Sequence, residues 1–188
     1  MHSKVRHFKG RKLLISTHAL FCAVWLGGAI SALLVLFTKN NPASAEELTT
    51  TIAILKLIEN SLIIPGALGS FTTGFLMGLL TEWGFFKHRW VIFKWIATGI
   101  AMLNGGFLLD KSVIGMITVS NAQGLVAIHD SAYQSFYHTA TTCGLINLSI
   151  NLALFMVSFL KPWENKKADV GILGVLPGRS SDTTKNQV

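Results

Sequence analysis

Charge is what this sequence has least of. Only 13% of its 188 residues are Asp, Glu, Lys or Arg, against about a quarter in an average soluble domain. Apolar residues make up 51% and mean hydropathy is +0.50, so a membrane chain is expected. Acidic residues are the scarcer sign: nine in all, none inside the long apolar runs. A proton or cation relay through the membrane is therefore poorly provided for. Cysteine occurs twice, at Cys22 and Cys143, both within apolar runs and outside any C-x-x-C or zinc-type spacing. That argues against a disulfide framework or a structural zinc, and both read as small apolar packing residues.

What is present is apolar length. Leu13 to Phe37 holds no Asp, Glu, Lys or Arg over about 25 residues, enough for a helix to cross roughly 30 Å of hydrocarbon. Five basic residues precede it (Lys4, Arg6, Lys9, Arg11, Lys12) and Ala43-Ser44-Ala45 has the form of a cleavage site. A signal peptide's apolar core is typically about 7 to 15 residues, so a retained helix is expected. The segment after Phe37 is turn-rich, and Ser44 with Glu47 has the spacing of a capping box, predicting a helix start. Thr50 to Ile58 is mixed and reads as interfacial. A second apolar run covers Leu62 to Leu80, with Pro65 expected to bend it or mark its membrane entry. Its glycines, Gly74-x-x-x-Gly78 among them, predict a close helix–helix seam.

A third span is predicted from Trp90 to Leu109, ended by Asp110, and a fourth over about 134–160, ended by Lys161-Pro162-Trp163. The 111–133 connection reads as a surface helix or an extension of the third span. The expected fold class is all-α, a polytopic four-helix membrane bundle over residues 1–163 with spans at about 13–37, 62–80, 90–109 and 134–160. Residues 164–188 read as a disordered tail rich in Gly, Pro, Ser and Thr. The net charge of +7 would suggest nucleic acid in a soluble protein. Here the basic residues flank apolar runs, which points instead to topology and lipid headgroups and away from nucleic acid. With the amino terminus cytoplasmic, 13 of the 16 basic residues fall inside and only Lys39, Lys56 and Lys111 outside. Both termini are thus expected in the cytoplasm, in a multi-pass plasma-membrane protein.

The candidate site follows from depth. His18 lies about 10 Å to the cytoplasmic side of the first span's midpoint at Trp25, and Lys94 about 8 Å to the same side of the third's. Met77 falls at a comparable depth on the second. An ionisable group within a span is a functional-site hypothesis by default. On one face of the first span lie His18, Cys22 and Trp25, and small residues follow Lys94 on the third. A flat group such as haem b would suit that layer, with His18 as axial ligand and Lys94 near a carboxylate. The expected cofactor-binding set is His18, Lys94, Trp25 and Met77, with His18 as the metal ligand. Each also has a plainer reading: Lys94 snorkelling to headgroups, His18 bonded to a neighbouring helix, Met77 packing. His138 falls near the outer end of the last span, too far from His18 to share an iron. Asn104, Asn147 and Asn151 read as amides that bridge helices, or as a polar path.

His18 followed by Trp25-Leu26-Gly27-Gly28 resembles the opening helix of several small bacterial membrane proteins: CopD-type copper-resistance proteins, HemJ-type protoporphyrinogen oxidases and a four-span integral-membrane family of unknown function. Ile64-Pro65-Gly66 through Thr73-Gly74 and Trp90-x-x-x-Lys94 extend the resemblance over roughly residues 13 to 110. It is nearest to the uncharacterised family. HemJ-like relatives imply a haem-binding bundle and oxidoreductase activity, in which a first-helix His and a third-helix Lys matter; His18 and Lys94 match those positions. The chain departs from the W-x-H-x-K form at Ile92. CopD-like relatives imply copper handling, for which no Met or His cluster is present. The partners expected are the bilayer and a haem or porphyrin, with a second copy or another membrane protein left open. A bundle with no cofactor, serving as accessory, sensor or permease, is the alternative.

Overall fold

The computed structural model describes residues 10–80, 84–86 and 88–160. The tail, the 161–163 stop and the basic run up to Lys9 lie outside those residues. The described chain is helical, without strands: α1 (Arg11–Thr38), α2 (Ala45–Ile58), α3 (Ile64–Leu80), α4 (Arg89–Leu103), α5 (Asp110–Gln123) and α6 (Ser131–Leu160). A π-helical turn, Glu59–Ile63, welds α2 to α3, and another, Asn104–Leu109, welds α4 to α5. Four helices long and apolar enough to cross a membrane result: Arg11–Thr38, Ala45–Leu80, Arg89–His129 and Ser131–Leu160. This is an integral membrane protein with a helical-bundle fold.

Local chemistry explains the joints. Ser44 accepts from the Glu47 amide at 3.1 Å, and the Glu47 carboxylate accepts from Ala43 N at 2.9 Å and Lys39 Nζ at 3.0 Å. The expected cap therefore forms, reaching the amide one residue earlier than a capping box would. Pro65 has no N–H and its ring would crowd the carbonyl four residues back. The helix widens just before it, the Ile64 amide bonding five residues back to Glu59 O. The second π turn contains Gly105-Gly106, the weakest α-formers available short of proline, and there Asp110 N bonds to Gly105 O. The helix does not stop at Asp110, whose carboxylate pairs with Lys56; the chain continues into α5, the extension of the third span that is one of the two readings of the 111–133 connection.

Two buried clusters organise the bundle. The larger, at the end away from the chain termini, joins Leu33 and Leu36 of α1 to Leu48, Ile52 and Leu55 of α2 and Val113 and Met116 of α5. The smaller comprises Trp25, Ala67 and Ala101. In the half that carries the termini, α3 packs on α1, α1 on α6 and α6 on α4, whereas α3 and α4 share no extended backbone contact. There they meet through rings: Trp95 stands edge-on to Phe71 at 5.4 Å and tilted against Phe85 at 5.6 Å. In the other half α2 packs directly on α5 and closes the ring.

Candidate functional site

The α1/α3 seam sets the position of His18. Gly28 faces Leu62 and Ile63, Gly66 faces Trp25, Gly69 faces Phe21 and Gly74 faces His18. Each step of three or four residues along α1 is matched by a step of three to five back along the π turn and α3, as two antiparallel helices packed over their length require. Gly78 is not part of this seam; it makes room for Phe85. The seam that the glycines predicted thus runs through Gly66, Gly69 and Gly74.

At the seam's terminal-bearing end His18 Nδ1 lies 2.9 Å from Thr73 Oγ1. The Thr73 hydroxyl donates its proton to Gly69 O at 2.6 Å, so its oxygen accepts from His18 Nδ1–H. That assignment leaves Nε2 with its lone pair, 3.6 Å from Cys22 Sγ. Cys22 is one turn along the same helix, which is why the pair meets. Gly74 stands 3.4 Å from Cε1 measured from an added Cβ, so one edge of the imidazole rests directly on α3.

Lys94 reaches the same layer from α4. Its ammonium lies within electrostatic range of both His18 and Cys22, and 5.6 Å from the centroid of the Trp90 ring. Trp90 is one turn nearer the start of α4, so the side chain runs back toward the membrane surface as a snorkelling lysine does, with a cation–π contact on the way. Met77 sits one turn beyond Thr73 on α3, half-buried. Trp25 is two turns from His18 and buried in the smaller core.

The structure therefore brings His18, Cys22 and Lys94 together and adds Thr73, which the sequence alone did not single out. A polar side chain at the close-packed seam was the signal available: Thr73 stands beside Gly74 and is 7% exposed. His138 is far removed. Its neighbour Tyr137 donates to Leu36 O at 3.1 Å, 18 residues up α1 from His18, or about 27 Å. At that end Asp130 caps α6, accepting from the Ala132 and Tyr133 amides at 2.8 and 3.3 Å and from Gln123 Nε2 at 2.9 Å. Among the described residues no group of three or more His, Cys, Asp or Glu side chains is placed to hold a metal ion.

As a fit for a haem, the residues offer one axial ligand. His18 has the form such a ligand takes, one ring nitrogen anchored by a hydrogen bond and the other carrying the lone pair. Lys94 is a cation at the right level for a carboxylate substituent.

A separate feature lies between the two cores: a cavity of about 480 Å³. Of the four residues expected at a cofactor, Trp25 lines it and His18, Lys94 and Met77 do not. Compared with protein-family models, curated proteins and solved structures, the chain matches none.

Proposed function

We infer that the protein holds a b-type haem or related porphyrin on His18, in a redox or haem-handling role, in a bacterial plasma membrane with both termini cytoplasmic. One observation carries the reading: an imidazole set inside the apolar length of a span, anchored at Nδ1 by Thr73 so that Nε2 keeps its lone pair, with the Lys94 ammonium within electrostatic range. The group, when bound, would supply one-electron chemistry. The chain would supply an anchored ligand in His18 and a cation in Lys94. The test is a visible spectrum of detergent-purified protein, expressed with ample haem. A Soret band that disappears in His18→Ala while the helical fold persists is expected; wild-type protein without such a band refutes the reading.

A second reading rests on a specific contact. Both His18 nitrogens already have neighbours inside the protein, Thr73 Oγ1 and Cys22 Sγ, so His18 can act as a strut in a cofactor-free accessory, sensor or permease-like bundle. That role predicts a His18→Ala protein that is less stable and unchanged in ligand content.

A further inference from the structure

The cavity between the cores has a lining out of keeping with mere loose packing. Its floor is Trp25, Ala67 and Ala101, its walls are apolar, and its polar groups are few and unequal in sign. At one end Lys56 pairs with Glu59, at 2.9 Å, and with Asp110. Two carboxylates against one ammonium leave that end with a net charge of −1 when all three are ionised. In the wall, Asn147 is 5% exposed and its Oδ1 has no hydrogen-bond partner. A buried orphan acceptor costs about 1 to 3 kcal/mol and calls for an explanation.

Three further observations point to an occupant. Both π turns border the cavity, through Glu59 and Asn60 on one column and Gly105 and Gly106 on the other; such widened turns recur at functional sites. The cavity reaches Leu68, which is 53% exposed on the outside of the bundle, at the side where α3 and α4 stand apart. A molecule dissolved in the bilayer can enter there without crossing the headgroups. Its volume falls in the range of small-molecule pockets, about 300 to 1,000 Å³.

We propose that this cavity binds a membrane-partitioned organic cation, an apolar ring system bearing an ammonium group. The Glu59 and Asp110 carboxylates take the ammonium at the polar end, the apolar walls take the ring, and Asn147 Oδ1 accepts from a second donor on the ring. The spacing agrees: Asn147 stands opposite Gly105, and Gly105 is about 7 to 8 Å along the helix from Asp110. An anion is repelled by the net charge, and a neutral hydrocarbon leaves every acceptor as it was. The site is independent of any group on His18, since Trp25 separates the two.

Tryptamine, with an ammonium and an indole N–H, is the probe. Radiolabelled tryptamine is titrated onto the full-length protein in phosphatidylcholine nanodiscs, with empty nanodiscs as background and indole-3-acetate and 3-ethylindole as competitors. Saturable binding of one tryptamine per chain is expected, displaced by neither competitor. Binding is expected to weaken at least tenfold in Glu59→Gln and in Asn147→Leu, and to be unchanged in His18→Ala. Asn147→Leu keeps the number and branching of heavy atoms and removes the orphan acceptor; helical content matching wild type by circular dichroism shows that it folds and keeps the test decisive should Glu59→Gln misfold. Absence of saturable binding, equal competition by either analogue, or full affinity in Asn147→Leu overturns the proposal.

Discussion

A histidine in hydrocarbon is tolerated when its ring nitrogens are engaged, and Thr73 is what engages Nδ1 of His18. Replacing Thr73 by valine keeps the shape of the side chain and removes that acceptor. The ring N–H then keeps only its bond to the Ser70 backbone, a loss of about 0.5 to 1.5 kcal/mol, which chemical unfolding of the two proteins in matched detergent measures. Thr73→Ser, which restores the hydroxyl, is expected to recover most of it. A second prediction concerns Asp130 at the opposite end. Its carboxyl is held below the usual carboxylate range by the Gln123 side chain first, then by the Ala132 and Tyr133 amides. The folded form thus favours the ionised group more than the unfolded chain does. Its stabilising effect is complete above the ordinary Asp value near 3.9 and fades as pH falls through the lower folded value. Between pH 5 and 2 the thermal midpoint of wild type is expected to fall more steeply than that of Asp130→Asn, a cap that does not titrate. Parallel curves would show that Asp130 carries no such linkage. His18 and Lys94 were legible in the sequence because a titratable residue in an apolar run stands out by type alone. Thr73 was not, because which residue of α3 meets His18 depends on the helix–helix register, and several registers suit the same small residues.

At the scale of the helix, the α1/α3 seam shows what distinguishes one glycine from another. A Cβ on Gly66 would lie 2.6 Å from Trp25 N and 2.8 Å from its Cα, backbone atoms that cannot rotate away. On Gly27 it would meet nothing within 4 Å. Gly27→Ala is therefore expected to be neutral or slightly stabilising. Gly66→Ala has to push the two helices apart and is expected to lose about 1 to 3 kcal/mol or more, as overpacking does. Unfolding of the two variants side by side measures the contrast, and equal effects would mean that the seam is not close-packed. The Trp25-Leu26-Gly27-Gly28 run thus divides by face: Gly28 and Trp25 serve the seam, and Gly27 does not. Apolar length made the four spans readable. The continuations through α2 and α5 were less so, since their exposed faces dilute the hydropathy while Leu48, Ile52, Val113 and Met116 stay buried. Pro65 and Gly105-Gly106 marked weak points in the helices, yet whether a weak point bends, breaks or widens is decided by the neighbours that hold the ends.

On the scale of the whole molecule, the two central columns overrun the bilayer. Ala45–Leu80 is 36 residues, about 54 Å of helix against about 30 Å of hydrocarbon. The excess stands at the end away from the termini, where the larger core and the α2/α5 contact lie, and Lys56 ties the columns together just below it. Removing that cation by Lys56→Met leaves Glu59 and Asp110 facing each other. With Lys56 partly exposed, a loss of about 1 to 3 kcal/mol is expected, between the exposed and buried limits for ion pairs. The charge distribution also gives an expectation for orientation. Among the described residues, Arg11, Lys12, Arg89 and Lys94 mark the terminal-bearing end, while Glu46, Glu47, Glu59, Asp110 and Asp130 accompany the lysines of the other. Basic residues hold back a cytoplasmic end during insertion, so the terminal-bearing end is expected to be cytoplasmic. Single cysteines in a Cys22→Ala, Cys143→Ala background read this directly. Phe86 is 80% exposed at the basic end, and Asn121 is exposed at the other. In intact spheroplasts a membrane-impermeant maleimide is expected to label Asn121→Cys and to spare Phe86→Cys until the membrane is broken. The reverse pattern would invert the protein, and would place the His18 layer in the outer leaflet, away from cytoplasmic haem and reductants.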